Sequence, residues 1–129
     1  MSPDTVCDDL DCCLTHKSGA VRLNAVKSLH RIAQKDYARA VAAVRARQED
    51  GDLEVRQAVV DVLCALARAA RPGDRAALDM LLARLADWEP QVRHLAVDAL
   101  AQAVSKSDEA TLRALRAHLG DWRTHVRRA

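Results

Sequence analysis

Apolar residues recur along this chain with helical spacing. The dipeptide Val-Arg recurs in one register at Val21-Arg22, Val55-Arg56, Val92-Arg93 and Val126-Arg127, at intervals of 34, 37 and 34 residues. With each Val as origin, the positions four, five and eight residues on are Ala25, Val26 and Leu29, then Val59, Val60 and Leu63, then Ala96, Val97 and Leu100. Those offsets fall on one face of an α-helix, whereas strands need strict alternation. A second apolar stripe precedes each dipeptide: Cys7, Leu10 and Leu14; Val41 and Val44; Leu78, Leu81 and Leu85; Leu112, Leu115 and Leu119. Each unit therefore reads as a helix A, a short turn and a helix B.

The spacing predicts helices over 4–15 and 20–34, 37–48 and 53–69, 74–86 and 90–105, and 108–119 with a stub from 123. The units are 4–34, 37–69, 74–105 and 108–129, the last incomplete, within one domain spanning 1–129. The turns are marked too. Asp50, Asp87 and Asp121 each precede Arg56, Arg93 and Arg127 by six residues. Ser18 and Asp52 suit the N-cap of helix B, and Pro90 suits its first turn, where a missing N–H costs nothing. Pro72-Gly73 adds a break between units two and three, which accounts for the longer interval.

The Asp-x5-Arg pattern, with Val before the Arg and Ala/Val and Leu following, resembles the HEAT repeat of the armadillo-like α-solenoids. Residues 87–100, Asp-Trp-Glu-Pro-Gln-Val-Arg-His-Leu-Ala-Val-Asp-Ala-Leu, carry it best. The resemblance implies an all-α fold: a right-handed α-α superhelix, or HEAT-repeat solenoid, of about three and a half helix pairs. It implies A helices on a convex outer face and B helices on a concave inner one. It also implies that Asp50, Asp87 and Asp121 pair with Arg56, Arg93 and Arg127, within or between repeats, as a stacking ladder. His16 stands at the Asp position of unit one, so Arg22 is expected to lack its partner. An apolar face alone specifies register weakly, and a repeated Asp–Arg bond would fix it.

Composition agrees with helix packing. Half the residues are hydrophobic, yet aromatics are 2% and Phe is absent, so the core must be Leu, Val and Ala. The net charge of +2 gives no general argument for nucleic acid. Cys7, Cys12, Cys13 and Cys64 match no disulfide framework. The first 15 residues hold four Asp and no Lys or Arg, unlike a signal or transit peptide. No apolar run suits a membrane span. An intracellular chain with free thiols is expected, cytoplasmic with the nucleus as a second location.

No constellation supports catalysis. Cys12 and His16 could face one metal, but no second ligand pair accompanies them. HEAT-like enzymes that bind iron use His-Glu dipeptides, and none occurs here. The expectation is a non-catalytic scaffold without metal or cofactor. Its predicted partner is another protein or peptide, held on the concave face by Lys27, His30, Arg31, Asp61, His94 and Asp98. Cys64 lies on the same face. The alternative is nucleic acid, met by Arg39, Arg45, Arg47, Arg84, Arg113 and Arg116 on the A helices, with Arg47, Arg84 and His118 aligned as a basic stripe. Trp88 and Trp122 follow the ladder Asp and are expected to pack between turns. The short last helix leaves an apolar end uncovered, so the chain is expected to be a piece of a longer solenoid or to make a contact there.

Overall fold

A computed structural model describes residues 10–71 and 73–104, with 113, 116 and 117. The fourth helix pair, including Asp121, Trp122, Arg127 and the expected C-terminal contact, lies outside the described residues, as does Cys7. Among the described residues the chain is all helical. α1 covers 10–14, α2 Gly19–Lys35, α3 Tyr37–Arg47, α4 Leu53–Ala69, α5 Ala76–Arg84 and α6 Pro90–Val104. α1, α3 and α5 are the A helices, and α2, α4 and α6 the B helices. The expected α5 begins two residues early and ends two late, a common uncertainty at helix ends. None of these helices is long and apolar enough to cross a membrane.

Local chemistry sets the joints. Asp36 ends α2 and starts α3, its Oδ1 accepting the Arg39 N–H at 3.1 Å. Asp52 caps α4 through the Glu54 N–H at 2.9 Å. Ser18 occupies the N-cap of α2 but makes no side-chain cap bond; its own N–H goes to His16 Nδ1. Pro90 opens α6. Gly73 adopts φ +89°, a left-handed conformation that favours Gly, in the break before α5. Gly19 serves close approach: a Cβ there would run into the Asp52 carboxylate from the next unit.

The core is the predicted stripe. Leu29, Leu63, Leu66, Leu81, Leu85 and Leu100 are fully buried, with Val26, Val44, Val55, Val59 and Val60. Burying such a side chain contributes about 1.5–3 kcal/mol, so the core supplies most of the stabilisation. The B helices pack most extensively against one another, while α3 and α5 touch lightly.

Register comes from the turns. Arg22 Nε and Nη2 grip Asp50 of the next unit at 2.8 and 3.2 Å. Arg56 Nε donates to Asp87 of the next unit at 3.0 Å. Each Arg also reaches back to the carbonyl six residues earlier: Arg22 to His16 at 2.7 Å, Arg56 to Asp50 at 2.7 Å and Arg93 to Asp87 at 2.6 Å. The carboxylate bond thus runs from one unit to the next, and the carbonyl bond stays within a unit. Arg22 therefore has a carboxylate partner, contrary to expectation. To Arg22, His16 offers its backbone carbonyl alone, which any residue could supply.

Arg56 and Asp87 are both buried, while Arg22 is partly exposed. Removing the carboxylate at a buried joint leaves its guanidiniums uncompensated, at a cost of about 3 kcal/mol. Asp87→Asn, which strands the buried Arg56 and Arg84, is thus expected to lower unfolding stability by about 3 kcal/mol, and Asp50→Asn, whose partners Arg22 and Arg47 are partly exposed, by clearly less. Urea denaturation of both variants measures the difference.

Candidate functional site

The B helices present two adjoining grooves. The first, between α2 and α4, is lined by Leu23, Lys27, Glu54, Gln57, Ala58 and Asp61. The second, between α4 and α6, is lined by residues that include Asp61, Cys64, Arg68, Leu95, Asp98 and Gln102. Asp61 belongs to both. Lys27, Asp61 and Asp98 are therefore brought together along one face. His30, Arg31 and His94 are exposed but line neither groove.

Two charged groove residues were missed from sequence. Glu54 lies in the first turn of α4 and Arg68 in its last. Arg68 stands seven residues after Asp61, two turns along the same face. Extending the stripe to the end of the helix would have found it.

Cys64 sits in the second groove, its Sγ 3.8 Å from both the Ala99 carbonyl and Gln102 Oε1. Burial pushes its thiol pKa up; Asp61 adds to that and Arg68 opposes it. A raised pKa leaves little thiolate at neutral pH, which is the wrong setting for a nucleophile. Among the described residues no three His, Cys, Asp or Glu side chains cluster as metal ligands.

The basic stripe expected on the A helices changes character. Arg84 is buried rather than solvated. It donates to Asp87 at 3.1 Å and lies 3.5 Å from Glu49. Arg47 approaches Asp50 at 3.8 Å, three residues on. These arginines turn inward because the ladder carboxylate is one helical turn away. Arg39 lies 3.6 Å from Asp11. Arg45, Arg113 and Arg116 are exposed, and His118 lies outside the described residues.

Trp88 also departs from expectation. It is 78% exposed rather than packed between turns. One face carries the Arg56 guanidinium, 5.5 Å from the ring centroid. The Arg is held by the ladder, so a buried cation anchors an exposed ring.

Burial alone would raise the Asp50 pKa. The Arg22 hydrogen bond, the Asp52 N–H and the charges of Arg22 and Arg47 outweigh it and hold the carboxyl below the usual range. Tyr37, partly buried beside Asp74, is pushed up to about 12, first by that burial and then by the carboxylate.

The inter-unit Arg–Asp bonds, the caps and the Leu–Val stripe define a repeating helix pair. A family profile for HEAT repeats matches residues 10–101. The chain belongs to the HEAT-repeat family. No curated protein and no solved structure matches it significantly. HEAT repeats are generally non-catalytic scaffolds for protein interaction. In this HEAT protein the groove residues Lys27, Asp61 and Asp98 are exposed and take no part in the ladder or the core.

Two outcomes follow. A carboxylate with a lowered folded pKa stabilises above its unfolded pKa and loses that contribution as pH falls through its folded value. The stability gap between the native chain and Asp50→Asn should be constant above about pH 5 and narrow below about pH 4. Denaturation across that pH range checks it; a gap that widens in acid would contradict the assignment. Cys64 should alkylate more slowly than exposed Cys12 with iodoacetamide at pH 8, as read by peptide mass spectrometry.

Proposed function

We propose that this chain is a non-catalytic scaffold that holds a peptide or helix of another protein across the B-helix face. The supporting observation is the pair of adjoining grooves that share Asp61. Their charges alternate along the face: Lys27, then Asp61 with Glu54, then Asp98 with Arg68. A partner segment carrying basic residues for Asp61 and Asp98 and an acid for Lys27 would be complementary. Close packing of B helices, with only light contact between α3 and α5, favours a stack that bends toward the B side. A long segment lying along such a face would contact several units at once.

Rim charges of this kind set specificity and association rate more than total affinity. The nucleic-acid reading loses support from the inward turn of Arg47 and Arg84, which were to form its central stripe.

The double variant Asp61→Lys/Asp98→Lys replaces exposed side chains, so its thermal melt should match the parent closely. Partners captured by the parent should be lost or reduced by at least about tenfold, which corresponds to about 1.4 kcal/mol. Quantitative mass spectrometry of parallel captures reads this. Equal recovery by parent and variant would remove this face from consideration.

A further inference from the structure

The turn edge between units two and three holds a second cavity, of about 640 Å³. Arg56, Arg84, Asp87 and Glu49 line it, with Trp88 and Ala83 supplying apolar surface. The equivalent cavity one joint earlier is about half as large, 330 Å³, and has Gly51 where Trp88 would stand.

Arg84 is only partly used. Its Nη1 donates to the buried Asp87 at 3.1 Å. The opposite edge, Nε with Nη2, is a fork shaped for the two oxygens of a carboxylate. Arg22 shows that edge filled, with Asp50 at 2.8 and 3.2 Å. At Arg84, Nε is sealed from solvent without a hydrogen-bond partner, and Nη2 has Glu49 at 3.5 Å. The Glu49 side chain is 83% exposed, so little holds it in place. Charge is unbalanced as well. Two buried guanidiniums face one buried carboxylate, with Glu89 no closer than 3.8 Å to Arg56.

We propose that the Arg84 fork receives an Asp or Glu side chain of a partner peptide, with Trp88 packing on the apolar residue beside it. Glu49 occupies the place loosely and is displaced on binding. One carboxylate takes the place of Glu49 as the counter-charge of the fork, while Arg56 keeps Asp87 and Glu89. A dianionic phosphate would bring excess charge toward Asp87. The site lies on the turn edge and shares no lining residue with the B-helix grooves, so it stands or falls independently of them.

The test uses a short peptide with blocked termini and a single Glu flanked by leucines. In ¹⁵N-labelled protein, the Arg84 Nε–H and Trp88 Nε1–H cross-peaks should shift together and saturate. The same peptide with Gln in place of Glu should leave both unmoved. Glu49→Gln, at an exposed position, removes the internal competitor and should tighten binding by at least about threefold. Trp88→Ala should weaken it. Three results would each overturn the proposal. The Gln peptide could shift the peaks equally. Glu49→Gln could leave affinity unchanged or lower it. Or binding could require a free C-terminal carboxylate in place of the Glu.

Discussion

Asp50 and Asp87 each join two tasks in one carboxylate. Oδ1 accepts the N–H two residues on, from Asp52 and Glu89 respectively, both at 2.9 Å. That bond shapes the turn ahead of helix B. Oδ2 accepts the guanidinium of the preceding unit's Arg. Turn geometry and stacking register are therefore set by the same group. A slip of one helical turn, about 5.4 Å, would still bring Leu and Val against Leu and Val. It would break every carboxylate–guanidinium bond, whose lengths leave no such tolerance. The core supplies attraction, and the ladder selects one arrangement among several that the core would accept.

The ladder then explains the distribution of the remaining charge. A guanidinium has five donors, and neither Arg22 nor Arg56 is satisfied by one carboxylate. Each sends Nη1 back to its own unit's turn carbonyl, tightening the turn it has just crossed. Asp87 accepts hydrogen bonds from two guanidiniums, Arg56 and Arg84, and its joint is more buried than the one at Asp50. Trp88 lies over this joint and screens Arg56 on one side. The B-helix grooves carry Lys27, Asp61 and Asp98 at exposed positions. Structural charge is thus concentrated on the turn edge, and the B-helix face carries charge that the ladder does not use.

How much of this was readable from sequence follows from what kind of information each feature needs. The helices and core were legible because they depend on period alone: Val26, Leu29, Val59, Leu63 and Leu100 fall on one face wherever the helices pack. The Asp–Arg relation was legible as a spacing but not as a direction. Six residues separate Asp50 from Arg56 within a unit, yet Asp50 binds Arg22. Chain distance says nothing about which neighbour's carboxylate is nearer once the turns stack. Arg84 was read as solvated because it aligned with an outer-helix position. Its burial comes from Asp87, three residues later and one turn away, a local pairing that was open to inference. Trp88 was read as packed because large aromatics usually are. The Arg56 cation that it covers is brought there only by the fold.

The contrast between the two joints carries the argument one step further. Both use the same Arg, the same Asp and the same turn hydrogen bond. The first has Gly51 after its Asp and a partly exposed Arg22; the second has Trp88 and a buried Arg56. A stacking device does not need the ring, since the first joint, whose cavity is also lined by two guanidiniums, Arg22 and Arg47, closes without a Trp. What Trp88 adds is exposed apolar surface in a cavity lined by guanidiniums. Such a combination is unfavourable to leave exposed and favourable to cover with an acidic, partly apolar segment. Repetition of the ladder accounts for the fold, and the departure from repetition at Trp88 marks where this chain differs from a generic stack.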